Sequence, residues 1–368
     1  MNTTHERSTV LITGSSGNLG TRLINQLADF DVVGLDFAPP QTSVATRFFQ
    51  VDLGREASCH EMVSILRSTE AAAVVHLAFV IDPMRTGVLD LDRMWQINVA
   101  GTARVMEAIS EVNRSGGSVR KFIFPSSVSV YGPELARPAT ENSPFGAHTL
   151  PYAVHKRESD EVVQMRASSL GACHTYILRP HIYAGATMQN YLIGMLRGTP
   201  GGKSKRAERW RAAGKRLPLM LPFGEQYVHK LFQFVHVDDV ARLITWILCK
   251  QDSGRQSLTT LNVAGRGEPL SIAQCAQVAD QKIVRMPSRW ACSKVLKILW
   301  SLGMSSIPPE ALPYMIGSYL MDTARLRSFL GGDYERVIRF ANEEALRDSF
   351  ATENSRQEEN IHEAVGSA

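Results

Sequence analysis

The sequence TGSSGNLG at Thr13–Gly20 decides the fold class of this chain of 368 residues. It follows the β-branched run Val10–Ile12 and comes before an amphipathic stretch that carries Leu23 and Leu27. Glycines at this spacing, between a predicted strand and a predicted helix, are typical of a turn that receives the pyrophosphate of a dinucleotide. We therefore predict a dinucleotide site at this turn.

Each residue of the turn has its own predicted part in binding. Gly14 permits the tight turn, Gly17 lets the backbone approach a phosphate, and Gly20 lets the helix pack closely against the strand. The helix begins after Gly17 with Asn18 and Leu19, and its first N–H groups face the anion. All five residues are therefore predicted to bind the cofactor.

Short β-branched runs alternate with amphipathic stretches along the first half of the chain. They predict six strands: Thr9–Thr13, Val32–Asp36, Phe48–Val51, Ala73–Leu77, Lys121–Phe124 and Thr175–Leu178. Strands that alternate with helices form a parallel sheet covered on both faces, because parallel crossovers need a helix. The predicted fold class is α/β, a doubly wound parallel (Rossmann-type) sheet with a smaller, discontinuous C-terminal substrate domain.

The regular alternation stops after Leu178, so we predict two domains. The sheet domain takes residues 8–180 plus about 229–263, the substrate domain takes about 181–228 plus 264–345, and residues 351–368 form a frayed polar tail. The run FQFVHV predicts a strand at Gln233–Val237 that returns to the sheet. Asp238 is predicted to cap the helix that follows it.

The composition excludes several classes of protein. Hydrophobic residues make up 44% of the chain and charged residues 21%, which excludes a disordered chain. The net charge of +4 is too small to indicate a nucleic-acid partner, and no apolar run is long enough to span a membrane. The segment Arg197–Arg216 has eight basic residues and one acidic residue. It favours a solvated loop over an anion-binding lid.

The cysteines and the N-terminal residues bear on localisation. Five cysteines lie far apart without a CxxC pair, which predicts five buried thiols, no zinc ribbon and no metal site. The polar residues before Val10 leave no room for the apolar part of a signal peptide. We therefore expect a cytoplasmic protein.

Asp36 ends the second predicted strand, sixteen residues after Gly20. Its carboxylate can accept hydrogen bonds from both hydroxyls of the adenosine ribose. A 2′-phosphate would meet this negative charge, and no Lys or Arg follows until Arg47. The predicted cofactor is therefore NAD rather than NADP.

Further cofactor-side residues are predicted from their positions at strand ends. Asp52 and Leu53 follow the third predicted strand and suit the adenine edge. Leu77, Ala78 and Phe79 lie at the end of the fourth predicted strand, where the chain would pass along the cofactor.

Tyr152 and Lys156 lie one helical turn apart in YAVHK, so their side chains share a face. A tyrosine keeps its proton until about pH 10, and a nearby lysine lowers its pKa. Upstream, Ser127 lies in PSSVSVYG after the fifth predicted strand, and its hydroxyl can bond a reacting oxygen. We predict Ser127, Tyr152 and Lys156 as the catalytic group, with Tyr152 and Lys156 also touching the cofactor.

Together these motifs resemble the extended short-chain dehydrogenase/reductase family, the NAD-dependent epimerase/dehydratase group. The resemblance includes VVHLA at Val74–Ala78, LRP at Leu178–Pro180, FVHVDDVA at Phe234–Ala241 and NVAGRGEPLS at Asn262–Ser271. It implies an NAD-dependent oxidoreductase in which Tyr152 is the acid/base. It also implies that Asn98 is a structural and cofactor-side residue and that the chain forms a homodimer. His181, after LRP, is predicted on the cofactor side.

The sequence departs from relatives that act on nucleotide sugars at three positions. Ile182 stands where such relatives carry an Asn, Phe232 stands where they carry an Arg, and the Arg expected upstream of Asp322 is missing. Without these donors a diphosphate loses charge-assisted hydrogen bonds. The leading prediction is hydride transfer at a secondary alcohol or ketone carbon of a small-molecule substrate. The alternatives are a nucleotide-sugar epimerase or dehydratase with tightly held NAD, and a non-catalytic NAD-binding scaffold or sensor.

Overall fold

The structure is a computed structural model that describes residues 7–40, 45, 47–81, 90–251 and 257–351. Its strands, in chain order, are β1 Thr9–Thr13, β2 Asp31–Asp36, β3 Arg47–Gln50, β4 Ala73–His76, β5 Lys121–Pro125, β6 His174–Pro180, β7 Ile182–Ala184, β8 Leu219–Pro222, β9 Leu231–Phe232, β10 Phe234–His236, β11 Ser257–Val263, β12 Leu270–Ser271 and β13 Ile283–Met286.

The α-helices of the described residues are Asn18–Ile24, Ser58–Thr69, Leu91–Trp95, Gly101–Arg114, Pro151–Arg166, Tyr191–Arg197, Lys205–Ala212, Glu225–Val228, Val237–Cys249, Ile272–Val278, Arg289–Ser301, Leu312–Ile316, Ala324–Leu330, Tyr334–Val337 and Asn342–Asp348. One π-helical turn, Gln96–Ala100, joins two of them, and 3-10 turns occur at Val128–Tyr131, Ala167–Leu170, Pro309–Ala311 and Gly331–Asp333.

Seven parallel strands form the central sheet in the order β11-β6-β5-β4-β1-β2-β3. The order reverses between β1 and β4, and ligands of open α/β sheets bind outside the carboxyl ends of the strands at such a switch point. All six strands predicted for the sheet are present, which confirms the predicted fold class. The turn after β1 and the segment after β4 therefore flank the same crevice.

One core of the sheet domain lies between the strands and the helices Ser58–Thr69 and Gly101–Arg114. Leu11, Val74 and Phe122 of three neighbouring strands are fully buried in it. Each such side chain stabilises the fold by about 1.5–3 kcal/mol relative to an exposed one. The core fixes the strand ends and, with them, the position of the site.

The strand predicted at Gln233–Val237 is present, but the prediction that it joins the central sheet is wrong. Phe234–His236 pairs with β7 outside the large sheet, and the strand that returns is β11, which pairs with β6 over seven residues. The helix after β10 begins at Val237, so Asp238 lies in its first turn and is not its cap. The apolar residues at 233–237 correctly indicate a buried strand. Apolar composition does not show with which strand it pairs, so the wrong sheet was predicted.

The chain divides into two compact units. The first, the sheet unit, contains Met1–His181, Asp238–Ala264 and Tyr319–Arg339. The second unit contains Ile182–Val237, Gly265–Ser318 and Phe340–Ala368. Compared with the predicted ranges, residues 229–237 lie in the second unit and Tyr319–Arg339 in the sheet unit. The predicted tail lies outside the described residues from 352 onward.

The basic segment Arg197–Arg216 is not a loop throughout, because it contains the helix Lys205–Ala212. Ser204 caps this helix by accepting a hydrogen bond from the backbone N–H of Ala207 at 3.2 Å. Arg216 donates to the carbonyls of Leu196 and Ala279 near the ends of two other helices, at 3.2 and 2.9 Å. Part of the positive charge of the segment therefore binds helix ends of its own unit.

The cysteine prediction needs a correction. None of the five forms a disulfide, but only Cys173, Cys275 and Cys292 are buried, while Cys59 is half-buried and Cys249 is exposed at a helix end. Within the described ranges, no group of three or more His, Cys, Asp or Glu side chains could hold a metal ion. No helix of those ranges is long and apolar enough to cross a membrane.

Candidate active site

The glycine turn after β1 packs closely against its neighbours and leaves no room for a side chain at Gly14 or Gly20. Gly14 has a φ of +70°, and a Cβ there would lie 2.5 Å from the backbone nitrogen of Ala78. A Cβ on Gly20 would lie 2.5 Å from the carbonyl oxygen of Gly14. The turn thus leaves backbone surface open at the start of the helix Asn18–Ile24, the cradle that a pyrophosphate needs.

Asp36 ends β2 beside this turn, and backbone N–H groups hold its carboxylate. Oδ2 accepts from the N–H of Ser16 at 3.0 Å, and Oδ1 accepts from the N–H of Phe37 at 2.8 Å and of Ala38 at 3.5 Å. A carboxylate has about four acceptor positions. Asp36 therefore keeps acceptor capacity for a ribose hydroxyl while its orientation is fixed.

A cavity of about 360 Å³ lies at the carboxyl ends of β1, β2 and β4. It is lined by Gly14, Ser16, Gly17, Leu35, Asp36, Phe37, Ala38, Val51, Asp52, Leu53, Leu77, Ala78, Phe79, Val80, Arg93 and Ile97. It thus brings together eight of the residues predicted on the cofactor side. Asn18, Leu19 and Gly20 form the adjoining helix start and do not line it.

Arg93 belongs to this cavity, and no sequence motif pointed to it. Its guanidinium forms an ion pair with Asp52. A Cβ on Gly54 would lie 2.4 Å from Nη1 of Arg93, so the glycine of the DLG sequence makes room for the arginine. Asp52 is therefore held in place by Arg93.

Ser127 and Tyr152 meet after β5. The Ser127 hydroxyl accepts hydrogen bonds from the backbone N–H of Ser129 at 3.1 Å and from its hydroxyl at 2.9 Å. These two donors occupy both lone pairs of the Ser127 oxygen, which leaves its own proton for another acceptor. Burial raises the pKa of Tyr152 to about 12, and the donor hydroxyl of Ser127 lowers it.

Lys156 is buried one helical turn after Tyr152. Its Nζ atom donates to the carbonyl oxygen of Pro125 at 2.7 Å and lies 3.7 Å from the centroid of the Phe79 ring. Burial lowers the pKa of Lys156 to about 7, and Asp160 raises it. The ring of Phe79 also stands edge-on to Tyr152, at 5.8 Å between centroids. Phe79 therefore contacts two of the three predicted catalytic side chains, Tyr152 and Lys156, and lines the cavity.

Asn98 lies in the π-helical turn and is fully buried. Its amide clamps the backbone of Val80, accepting from the N–H at 2.7 Å and donating to the carbonyl at 3.0 Å. It also approaches Nδ1 of His155 in the helix of Tyr152, at 3.4 Å. Asn98 thus positions a residue that lines the cavity.

A buried chain of hydrogen bonds runs through His76 at the end of β4. Thr102 donates its only hydroxyl proton to the carbonyl of Asn98 at 2.6 Å, so Nε2 of His76 must donate to Thr102 across their 3.0 Å contact. Nδ1 is then the acceptor for the hydroxyl of Thr13 at 2.7 Å, and Thr13 accepts from the N–H of Ala78 at 3.2 Å. Burial lowers the pKa of His76 to about 3, which agrees with a neutral ring.

Arg179 of the LRP sequence ties the motifs together. It forms a bidentate pair with Asp160 at 2.9 and 3.0 Å, and both side chains are buried. It also donates to the hydroxyl of Tyr131 at 2.7 Å, and Tyr131 donates to Asn262 at 2.7 Å. Hydrogen bonds thus connect the motifs LRP, SVSVYG and NVAG to one another. Through Asp160 they also fix the helix that carries Tyr152.

His181, predicted on the cofactor side, does not line the cavity. It is buried, its ring stacks on Tyr319 at 5.3 Å between centroids, and its Nε2 lies 3.2 Å from the Tyr319 carbonyl. Sequence reasoning also missed Ser16 and Ser129. The TGSSG and SSVSV sequences contain both serines, so a survey of polar residues inside the motifs finds them.

Comparison with known proteins identifies relatives of the chain. Residues 10–264 match the model of the NAD dependent epimerase/dehydratase family. A protein of Oryza sativa subsp. japonica named UDP-glucose 4-epimerase 4 is 29% identical over 63% of this chain and 65% of its own length. The UDP-glucose 4-epimerase of Erwinia amylovora is 28% identical over 63% of this chain and 71% of its own length. The matches span about two thirds of these curated relatives.

Solved structures share the fold. A UDP-glucose 4-epimerase with UDP-glucose from Thermotoga maritima has a TM-score of 0.65 at 17% identity and covers 96% of this chain and 99% of that one. The UDP-glucose 4-epimerase of Thermus thermophilus in complex with NAD has a TM-score of 0.64 at 18% identity and covers 93% and 97%. At such identities the likeness concerns the fold alone.

Proposed function

The chain belongs to the NAD-dependent epimerase/dehydratase family, and we propose that it transfers hydride between NAD and a secondary alcohol or ketone carbon of a small-molecule substrate. Membership of this family confirms the predicted extended short-chain dehydrogenase/reductase class and the predicted cofactor. The observation that carries the proposed reaction is that Tyr152 and Lys156 both contact Phe79, which lines the cavity.

The residues of the cavity fit NAD. The backbone at Gly14 and Gly17 would take the pyrophosphate, and the absence of a side chain at Gly14 lets this turn pack against Ala78. Asp36 would accept from the ribose hydroxyls, and Asp52 would face the adenine edge. When bound, NAD supplies the ring carbon that accepts or gives hydride.

Tyr152 would exchange a proton with the substrate oxygen, and Ser127 would bond that oxygen. As a base, Tyr152 must lose a proton that burial holds to about pH 12. The donor hydroxyl of Ser127 and the positive charge of Lys156 both stabilise the phenolate. In the structure Lys156 meets Pro125 and Phe79, so it would act on Tyr152 through its charge.

Nucleotide-sugar epimerisation is the second candidate function. The curated relatives named above carry the name UDP-glucose 4-epimerase, which favours it. Against it stand the apolar residues Ile182 and Phe232, of which Phe232 is fully buried. Neither side chain can donate a hydrogen bond to a phosphate, so we expect weak binding of UDP.

The test uses the full chain with NAD and a panel of secondary alcohols, followed by ketones with NADH, and records NADH absorbance. Net turnover supports the proposed oxidoreductase. Conversion of UDP-glucose without net NADH change, together with micromolar UDP binding by calorimetry, would replace it with the epimerase. NAD binding without turnover of any substrate would favour a scaffold or sensor.

We further propose a cytoplasmic homodimer formed through helices of the sheet unit. Met165 at the end of the helix Pro151–Arg166 is 71% exposed, and Leu91 is 55% exposed. Exposed apolar residues on helices support a contact between copies. Light scattering of the full chain tests this, since Met165→Lys should shift a dimer toward monomer, and a monomeric unmutated protein would contradict it.

A further inference from the structure

The helix Arg289–Ser301 of the second unit presents apolar side chains to solvent. Trp290 is 69% exposed, Ile298 is 54% exposed, and Leu302, the residue after the helix, is 54% exposed. Residues four apart lie on one face of a helix, so these three residues and Lys294 follow one line. We call the exposed side chains of Trp290, Lys294, Lys297, Ile298 and Leu302 the basic helix face.

The charge of this face has one sign. Nζ of Lys294 lies 5.3 Å from the centroid of the Trp290 ring, and Lys297 is exposed next to Ile298. No Asp or Glu occurs from residue 281 to residue 309, and five Lys or Arg residues occur there. The helix itself thus carries basic residues and no acidic residue, and the nearest acidic residues in sequence are Asp280 and Glu310.

The basic segment described above lies against the same end of the helix. Gly202 donates its N–H to the carbonyl of Met304 at 3.2 Å, and Ser204 donates to Gly303 at 3.1 Å. The residues that follow carry exposed cations at Lys205, Arg206 and Arg209. Two acid-poor segments, far apart in sequence, therefore meet near Leu302.

We propose that the basic helix face docks on the surface of an anionic lipid bilayer. A helix with a Trp and aliphatic residues among lysines lies in a membrane interface, where the apolar side chains enter and the cations meet lipid phosphates. A second copy of the chain is a poor occupant, because symmetric pairing would bring like charges together. The lipid surface satisfies both the apolar and the cationic side chains.

Flotation of the full chain with vesicles tests the proposal. One set of vesicles is phosphatidylcholine, and the other is equimolar phosphatidylcholine and phosphatidylglycerol. The chain should float with the mixed vesicles and stay free with phosphatidylcholine, and added salt should weaken binding because it screens the charges. Binding to neither set, or equal binding to both, would overturn the proposal.

Variants locate the binding surface. Each of Lys294→Gln and Lys297→Gln should lower the partition coefficient about fivefold, the effect of one cation near an anionic surface. Trp290→Ser should lower it further, while Leu258→Ser, at an exposed apolar residue of the sheet unit, should leave it unchanged. Wild-type partition in all three face variants would contradict the assignment.

Two further measurements test whether the variants act through the basic helix face and not through a loss of folding. Thermal unfolding and NAD affinity of each variant should match the unmutated chain, because no residue of the face belongs to the cofactor site. Fluorescence of Trp290, compared between the unmutated chain and Trp290→Ser, should shift to shorter wavelength on mixed vesicles. A loss of dimer in Trp290→Ser, or tight binding of a poly-glutamate peptide that vesicles do not displace, would assign the face to a protein partner instead. The outcome is independent of the proposed reaction.

Discussion

The ammonium group of Lys156 lies 3.7 Å from the centre of the Phe79 ring. An aromatic face attracts a cation, which offsets part of the cost of burying the charge. Burial nevertheless lowers the pKa of Lys156 to about 7, so the lysine gains and loses its proton near neutral pH. Because Phe79 also lines the cavity, the ammonium group of Lys156 lies directly behind the proposed cofactor site.

Replacing Lys156 with Ala should alter both binding and the pH profile. Lys156 carries its charge below about pH 7, where it favours the phenolate of Tyr152, so Lys156→Ala should lower the rate there and remove the inflection near pH 7 from the pH–rate profile. NAD affinity should fall as well if Lys156 contacts the cofactor, as the sequence predicts. A pH–rate profile measured against Lys121→Ala, a lysine at the other end of β5, checks this, and an unmoved profile would show that Lys156 does not tune the base.

Tyr152→Phe should keep the edge-on contact with Phe79 but remove the acid/base. Turnover should fall by roughly 10²–10⁴, the range for lost general acid–base catalysis, while NAD affinity changes little. Steady-state kinetics and calorimetry give the two quantities. Tyr227→Phe in the second unit is the matched control, and full activity in Tyr152→Phe would mean that the proton is carried elsewhere.

Asp36→Ala should weaken NAD binding by roughly 10- to 100-fold, because hydrogen bonds to a charged group contribute about 1.5–3 kcal/mol. The gap between NAD and NADP should narrow, since the repulsion of a 2′-phosphate is removed as well. Asp31→Ala, at the opposite end of β2, serves as the control in the same titration. Equal affinity of the unmutated chain for NAD and NADP would contradict this prediction.

His76→Phe should change how stability depends on pH. The folded pKa of His76 is about 3 against about 6.5 unfolded, so the unfolded chain takes up the proton first as pH falls. The stability from neutral His76 is therefore fully present above pH 6.5 and is lost toward pH 3, by up to about 1.4 kcal/mol per pH unit. The variant should lack this slope and lose about 1–3 kcal/mol at neutral pH, because the buried hydroxyl proton of Thr13 is left without its acceptor.

Urea unfolding across this pH range measures the slope, and His148→Phe, at an exposed histidine, is the control. A variant with the slope of the unmutated chain would show that His76 is already charged or that its chain of hydrogen bonds is not formed. Nitrogen NMR of the His76 ring gives an independent test. The hydrogen bonds place the ring proton on Nε2, so the spectrum should show a protonated Nε2 and an unprotonated Nδ1.

The sequence predicted the parts of the fold in which local composition and burial agree. β1, β2, β4, β5 and β6 have buried, largely apolar runs, and the glycine turn has little conformational alternative. The edge strand β11 was missed because its first half, Ser257–Thr260, is mostly polar and is not buried. The run around Phe234 was assigned to the sheet instead, since apolar composition is the same in a two-stranded pair.

The site was predicted as a set of residues but not as a set of contacts. Motif spacing predicts Asp36, Tyr152 and Lys156 as site residues, because each has a fixed place after a strand or on a helix. It did not find Arg93, whose partner Asp52 lies 41 residues away, and it could not give the direction of the hydrogen bonds through His76. Such pairings depend on tertiary distances that no local pattern encodes.

The late position of β11 has a consequence for synthesis on the ribosome. His174 of β6 and Ser257 of β11 are 83 residues apart, and β7 to β10 are made between them. Until Val263 has emerged, the nascent chain exposes the edge of β6 with unpaired N–H and C=O groups, which is a template for pairing with another chain. Cotranslational folding of the sheet unit therefore waits for the second unit's first segment, and chains that end before Ser257 should aggregate.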